Sequence, residues 1–324
     1  MTLDVSALLD AAKQGDRRSL SRLLSAAERG GDDGRAAAGL AYRSRVEADT
    51  VGITGAPGAG KSTLVDRLIA VARGAGVEQL AVLAVDPTSP FSGGAILGDR
   101  VRMQGHDLDA GVFIRSMASR GHLGGLAVAV PEAIRLFAAA GTPLVLVETV
   151  GVGQVEVEVA SATDTTVVVV NPKWGDSIQA NKAGLLETAD IFVVNKADMP
   201  GAAQSRRDLE QMLDLSTPGD WRPPILETVA ATGEGVDALW AEIGRHRTFL
   251  EDAGLLERCR RERLQREFRL VLRARIEQEI DDLSSQPRFA ELDAAVVEHR
   301  LDPYTAAEQL LDQVGEGRAA GVSD

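Results

Sequence analysis

The sequence contains very little cysteine and none of the long apolar runs typical of membrane proteins. Its single cysteine is Cys259, so the chain cannot form an internal disulfide framework, and it fits a reducing compartment. No run of about 18 uncharged apolar residues occurs, which predicts the absence of a transmembrane helix. The N-terminal residues carry acids early and lack the charged-then-apolar layout of a signal peptide. These absences together predict a cytoplasmic protein.

The chain also lacks an excess of basic residues. It has 35 Lys and Arg against 48 Asp and Glu, a formal net charge of −13. Such a chain repels DNA and anionic membrane surfaces on average, so we expect neither a nucleic-acid nor a membrane partner. The longest basic segment, residues 257–279, interleaves its arginines with glutamates at helical spacings, which is typical of a solvated, ion-paired helix.

Short apolar runs alternate with helical stretches through the middle of the chain. They are β-branched and apolar on both faces, as strands covered by helices on each side must be. The alternation predicts an α/β fold with a doubly wound, mostly parallel sheet. The runs are residues 51–54, 80–85, 143–148, 165–170, 191–194 and 224–229, and residues 62–73 have the apolar face of a helix.

Both ends of the chain differ from this middle part. Residues 1–45 contain helical clusters and no strand, residues 46–250 hold the α/β domain, and residues 251–324 continue as helices. Apolar residues recur at helical spacing over residues 264–276, and this stripe needs cover from its own domain or from a second subunit. An Asp-Pro pair predicts that a last helix begins near residue 302 and runs to about residue 314.

A glycine-rich loop between the first strand and the first helix of the domain fits the pattern G-x-x-x-x-G-K-[ST]. The glycines let successive backbone N–H groups turn inward around phosphates, and the helix N-terminus adds partial positive charge. Lys61 reaches the β and γ oxygens, and Ser62 places its hydroxyl on Mg²⁺. The sequence therefore predicts a P-loop NTPase. Its phosphate-binding residues are Gly55, Ala56, Pro57, Gly58, Ala59, Gly60, Lys61, Ser62 and Thr63.

The segment "NKAD" follows a later strand, at the edge of the sheet where the phosphate loop lies. The carboxylate of Asp198 can accept hydrogen bonds from the guanine N1–H and 2-amino group. Adenine presents an acceptor at N1 and has no 2-amino group, so the same carboxylate would reject it. Asn195 and Lys196 would brace the phosphate loop and the face of the ring. The motif predicts that the nucleotide is GTP or GDP.

A third element, "ETVAATGEG", follows the last strand. The backbone N–H groups of Val229, Ala230 and Ala231 can meet the guanine O6. By itself this segment also fits an ordinary strand-to-helix loop, and only the order of the motifs favours the guanine interpretation.

Residues 148–154 have the pattern of a γ-phosphate sensor. Glu148 ends a strand beside the phosphate loop and can hold Mg²⁺ directly or through water, and the amide of Gly151 can sense the γ-phosphate. Signalling GTPases place a Gln after that Gly to orient the attacking water. Val152 occupies this position and cannot hydrogen-bond water through its side chain, and Gln154 is a weaker candidate on geometric grounds. The pattern predicts slow intrinsic hydrolysis that a partner accelerates.

Two further acids lie in residues 84–100. Asp86 ends a strand on the phosphate edge and can position the metal's water shell or the attacking water. Asp99 lies in a Gly-rich loop and can join when that loop closes. A strand-end turn before Pro87 is the structural alternative for Asp86, and a plain loop residue is the alternative for Asp99. We therefore assign catalytic roles to Lys61, Asp86, Glu148 and Gly151.

Six segments together resemble the MeaB/ArgK-type GTPases, relatives of human MMAA. The pairing of "FSGGAILGDR" with "RSMASRGHLGGL" is far more specific than a phosphate loop, and the resemblance covers roughly residues 50–250. The segments are "GAPGAGKST", "AVDPTSPFSGGAILGDR", "FIRSMASRGHLGGLA", "VETVGVGQVEVEVA", "GDSIQANKAG" and "NKAD".

The resemblance implies a chaperone of methylmalonyl-CoA mutase or a similar cobalamin-dependent acyl-CoA mutase. Such a chaperone gates the loading of adenosylcobalamin and protects or reactivates the mutase, using GTP. The resemblance also implies a homodimer held partly by C-terminal helices, and a moving "switch III" that contains Asp176 and Lys182. That segment begins here with residues 171–174, "NPKW", where a smaller, Gly-rich stretch is expected. The implied Mg²⁺ residues are Ser62, Asp86, Asp99 and Glu148.

Other classes of function are open at this point. A metal-insertion GTPase for hydrogenase or urease needs soft or imidazole ligands, and the chain has one Cys and four His without a clustered motif. A small-molecule kinase or transport-associated ATPase should not have Asp198 where guanine is read. A module that binds nucleotide without hydrolysis is disfavoured by Lys61 and the nearby carboxylates.

Overall fold

The structure is a computed structural model. It describes residues 3–87, 104–106, 108–119, 125–149, 161–172, 188–215 and 219–320. The chain divides into two compact units, Met1–Glu267 and Phe268–Asp324.

The first unit contains a parallel sheet, as the alternation of strands and helices predicts. In the described residues the sheet has seven strands in the order β3-β2-β4-β1-β5-β6-β7, and each pairing is parallel. Its strands are β1 (Asp49–Gly55), β2 (Leu80–Pro87), β3 (Val112–Ser119), β4 (Leu144–Thr149), β5 (Thr165–Val170), β6 (Ile191–Asn195) and β7 (Ile225–Thr228).

The helices of the first unit cover both faces of the sheet. Alternate residues of one strand belong to different cores: Val82 belongs to the core that includes residues of α4, α6 and α7, whereas Leu83 belongs to the core that includes residues of α1, α2, α3 and α5. This division is what a doubly wound fold requires. The helices are α1 (Val5–Lys13), α2 (Arg17–Arg29), α3 (Gly31–Ser44), α4 (Lys61–Gly74), α5 (Gly125–Ala139), α6 (Ala202–Leu215), α7 (Val236–Asp252) and the first part of α8 (Leu255–Ser284).

Strand β3 was not predicted from the sequence. Arg115 and Ser116 interrupt its apolar residues after Ile114, so it lacks the continuous apolar run of the other strands. The polarity has a local cause, because Arg115 Nη2 donates to Glu28 Oε2 at 2.7 Å and to Ser25 Oγ at 3.0 Å on α2. Strand β3 is an edge strand that pairs only with β2, and Arg115 lies on the same face as Phe113 and Met117, which pack against the core that holds the N-terminal helices.

The second unit is helical. It contains the end of α8, followed by α9 (Pro287–Val297) and α10 (Pro303–Ala320). Asp302 caps α10 as predicted, since its Oδ1 accepts from the backbone N–H groups of Tyr304 and Thr305 at 3.0 Å. The helix runs to Ala320 and is therefore longer than the sequence predicted. These helices line an apolar cavity of about 410 Å³.

None of the helices in the described part of the chain combines the length and the apolar character that crossing a bilayer requires.

Candidate nucleotide site

The phosphate loop lies between β1, which ends at Gly55, and α4, which begins at Lys61. Gly60 precedes the helix with φ 90° and supplies no side-chain cap, so the first backbone N–H groups of α4 remain available to an anion. The left-handed backbone and a close neighbour both require glycine here. A Cβ on Gly60 would lie 2.4 Å from Asn195 Nδ2.

The buried ammonium group of Lys61 folds back over this loop. Its Nζ donates to the carbonyl oxygens of Gly55 at 2.7 Å and Ala56 at 3.2 Å. These contacts hold a positive charge inside the curl of the loop, where the pattern predicts the β and γ phosphates.

Two of the predicted magnesium residues meet where the start of α4 lies beside the carboxyl end of β4. Ser62 Oγ donates to Glu148 Oε1 at 2.5 Å, and Glu148 is only 1% exposed. The carboxylate lies there because β4 pairs with β1, with Glu148 opposite Ile53. A hydroxyl and a carboxylate are oxygen donors of the kind Mg²⁺ prefers, so the pair fits such an ion.

The other predicted switch residues are only partly described. The backbone of Asp86 pairs with Ala118 at the end of β2, on the same edge as Glu148, but its side chain lies outside the described residues. The remaining predicted switch residues also lie outside them: Asp99, Gly151, Val152, Gln154, Asp176 and Lys182.

Asn195 connects the phosphate loop to the loop after β7. It is 1% exposed, and its Nδ2 donates to the carbonyl of Ala59 at 2.7 Å. Its Oδ1 accepts from Thr228 Oγ1 and from the N–H of Ala230, both at 3.1 Å. All three contacts are buried, so this one amide fixes the spacing between the phosphate loop and the loop after β7.

Lys196 and Asp198 follow on the loop after β6. Lys196 has a positive φ of 60°, and its Nζ donates to the carbonyl of Gly58 at 2.9 Å. The N–H of Ala197 donates to the carbonyl of Thr228 at 3.1 Å, which ties this loop to β7. Asp198 is exposed beside these anchored residues, where a ligand can reach its carboxylate.

Two of the three backbone N–H groups that we assigned to guanine O6, all in the loop after β7, already donate to acceptors within the protein. Val229 N–H donates to the carbonyl of Glu234 at 2.9 Å, and Ala230 N–H donates to Asn195. No acceptor for the N–H of Ala231 appears among the described residues. This loop is also held by Arg67 of α4, a residue that the phosphate-loop pattern does not include because that pattern ends at position 63.

An ion-pair cluster lies at the opposite, amino-terminal edge of the sheet. Asp164 precedes β5 and accepts hydrogen bonds from Arg260 at 2.8 Å and from Arg263 at 3.0 Å. Burial alone would raise the pKa of Asp164, but the hydrogen bond from Arg260 and the charge of Arg263 hold it below its usual value. The cluster anchors the start of α8 to the sheet.

A second buried group at that edge is neutral. His246 of α7 contacts Thr165 Oγ1 through Nδ1 at 2.9 Å, and its ring lies 4.8 Å from that of Trp221. Burial lowers the pKa of His246 to about 4 and raises that of Asp190 to about 7. Both groups support the scaffold and neither belongs to the nucleotide site.

The fold and the site together define a P-loop GTPase. A glycine loop with its lysine joins β1 to α4, a serine–glutamate pair lies beside it, and an N-K-x-D loop is bonded to the same glycine loop. Among the described residues, no group of three or more His, Cys, Asp and Glu side chains is placed to hold a metal ion.

The chain belongs to the MeaB family, whose description is "Methylmalonyl Co-A mutase-associated GTPase MeaB" and whose family model matches residues 30–284. A relative from Pyrococcus abyssi, whose name includes the word GTPase, is 46% identical over 96% of this chain and 97% of its own length. The mouse protein "Methylmalonic aciduria type A homolog, mitochondrial" is 38% identical over 59% of this chain and 47% of its own length.

A crystal structure described as "LAO/AO transport system kinase" has the same fold. It has a TM-score of 0.69 and 27% identity, and the match covers 97% of this chain and 99% of that protein. The family match and the shared fold confirm the resemblance seen in the sequence motifs.

Proposed function

We propose that this protein is a GTP-hydrolysing chaperone of methylmalonyl-CoA mutase or a related cobalamin-dependent acyl-CoA mutase. The observation that carries the proposal is the family match over residues 30–284, whose description names association with that mutase. In this role the protein gates adenosylcobalamin loading and protects or reactivates the mutase. The low cysteine content fits a reducing compartment, and we propose a cytoplasmic location on that ground.

The proposed nucleotide pose follows from the contacts within the phosphate loop and the loops after β6 and β7. The N–H groups at the start of α4 and the ammonium group of Lys61 bind the phosphates, and Asp198 selects guanine. Ser62 and Glu148 hold Mg²⁺, with Asp86 and Asp99 completing its surroundings. When bound, the ion neutralises charge that develops on the transferred phosphoryl group.

The proposed switch is slow without its partner. Val152 follows the proposed γ-phosphate sensor Gly151, and its side chain cannot hydrogen-bond the attacking water. An activating protein can order the catalytic segments of a GTPase, and we assign this part to the mutase. A long-lived GTP state would give the chaperone time to test whether the correct cofactor is bound.

We also propose that the protein is a homodimer that uses α8. Large apolar side chains along this helix are exposed in the single chain, among them Phe268 at 68% and Ile276 at 49%. A run of exposed apolar side chains favours an interface. Phe268→Glu combined with Ile276→Glu should therefore halve the mass measured by light scattering. A dimer that survives this double change would contradict the use of α8.

The test of the proposed function measures binding and turnover with the mutase. Immobilised mutase should retain the protein to different extents with GDP and with a non-hydrolysable GTP analogue, and free mutase should accelerate phosphate release. Lys61→Ala is the matched control and should lose both nucleotide effects. The proposal fails if no cobalamin-dependent mutase changes the rate or binds in a nucleotide-dependent way. Transfer of phosphate to an acceptor other than water would contradict hydrolysis.

A further inference from the structure

Arg67 joins the helix of the phosphate site to the loop of the base site. It lies in α4, and its Nε donates to the carbonyl of Ala230 at 3.2 Å. Its Nη2 donates to the carbonyl of Ala231 at 3.0 Å. The planar guanidinium group therefore binds two successive carbonyls, a geometry that the single ammonium of a lysine cannot reproduce.

The carbonyl of Ala230 and the N–H of Ala231 belong to one peptide group. No cis peptide occurs in the described residues, and in a trans peptide the two groups point in opposite directions. Because Arg67 holds the carbonyl, the N–H of Ala231 is directed away from α4. The contact with a cation also polarises the peptide and strengthens this N–H as a donor.

The hydrogen bonds of the loop leave this donor as the candidate for a ligand. Val229 N–H and Ala230 N–H are engaged within the protein, by Glu234 and Asn195 respectively. The described residues show no acceptor for Ala231 N–H. Ala231 is exposed, so a ligand can reach its N–H, and the 6-oxo group of guanine is an acceptor of suitable chemistry.

We propose that Arg67 is a positioning residue for recognition of the purine 6-oxo group. It orients and polarises the peptide between Ala230 and Ala231, whose N–H then donates to O6. The inference rests on the proposed guanine site. It reduces the candidate donors to O6 from three backbone N–H groups to the one of Ala231. Reading of the 2-amino group by Asp198 is a separate contact and does not depend on Arg67.

The experiment measures dissociation constants for three diphosphates on the full-length protein. GDP carries both recognition groups, and IDP lacks the 2-amino group but keeps O6. In 6-thio-GDP a sulfur, a weaker acceptor, replaces O6 while N1–H and the 2-amino group remain. The variants are Arg67→Met and Arg67→Lys, with Arg207→Met as the control that removes the same charge from an exposed arginine of α6.

Wild-type protein should bind GDP more tightly than 6-thio-GDP. Arg67→Met should weaken GDP binding roughly three- to tenfold, the value of one hydrogen bond, and bring the GDP to 6-thio-GDP ratio close to one. Its GDP to IDP ratio should stay unchanged, Arg67→Lys should recover part of the loss, and Arg207→Met should match wild type.

An unchanged GDP to 6-thio-GDP ratio in Arg67→Met overturns the inference, even if affinity falls. Wild-type protein that does not distinguish these two nucleotides also overturns it. Either result leaves the guanine site intact. Equal binding of ADP and GDP by wild-type protein would instead contradict the proposed function itself.

Discussion

Replacement of Asn195 by alanine should destabilise the protein even without nucleotide. The side chain is 1% exposed and makes three buried hydrogen bonds, to Ala59, Thr228 and Ala230. Each bond contributes about 1 kcal/mol net, and their former partners would remain buried and unsatisfied. Asn195→Ala should therefore lower the free energy of unfolding by about 3 kcal/mol.

The assay is urea unfolding followed by circular dichroism at constant pH. Thr228→Val is the matched control, because it keeps the side-chain shape and removes only the bond from Thr228 Oγ1, about 1 kcal/mol. In the double variant the loss of unfolding free energy should be smaller than the sum of the two single losses by about 1 kcal/mol, because both single changes remove the same bond between Thr228 and Asn195. A loss below about 1 kcal/mol for Asn195→Ala, or full additivity, would refute the assignment of Asn195 as the link between the two loops.

Two further predictions concern the amino-terminal edge of the sheet. Asp164→Asn should lower the free energy of unfolding by about 3 kcal/mol, because it removes the carboxylate shared by Arg260 and Arg263 and leaves Arg260 with the more distant carboxylate of Asp49, at 3.6 Å. Urea unfolding checks this, and GDP affinity should not change; a stability equal to wild type would contradict it. The pKa of His246 is lowered to about 4, so below pH 6.5 the unfolded chain takes up a proton that the folded chain does not. The free energy of unfolding therefore decreases as the pH is lowered from 6.5 towards 4. The raised pKa of Asp190 has the opposite effect, because it increases stability as the pH falls. This effect is present both in wild type and in His246→Gln, so the comparison of these two proteins isolates the contribution of His246. The difference in the free energy of unfolding between wild type and His246→Gln should shrink by up to about 3 kcal/mol between pH 6.5 and pH 4. A difference that stays constant over this range would exclude a buried neutral imidazole.

The sequence predicted those parts of the fold that local pattern determines. Apolar runs such as residues 165–170 became buried central strands with the predicted bounds. Strand β3 was missed because Arg115 interrupts its apolar pattern, and only the contact with α2 explains that arginine. A local pattern cannot show which helix will lie against an edge strand.

The site was predictable where a motif specifies chemistry and less so where partners come from distant parts of the chain. The sequence predicts that Ser62 and Glu148 belong to one magnesium site, because a hydroxyl and a carboxylate both suit Mg²⁺. In the structure these two side chains are in contact. Arg67 gave no such signal, since its partners lie more than 160 residues away. The choice among N–H groups at residues 229–231 likewise depends on bonds that only the folded loop reveals.

The most direct test of the guanine site compares GTP with XTP binding to Asp198→Asn. A carboxylate accepts from the N1–H and 2-amino group of guanine, whereas an amide can donate to the 2-oxo group of xanthine. We expect wild-type protein and the control Asp208→Asn to prefer GTP, and Asp198→Asn to prefer XTP, with GTP affinity lowered about 100-fold by the loss of charge-assisted bonds. If Asp198→Asn still prefers GTP, the base is read by another group and the guanine site is assigned incorrectly.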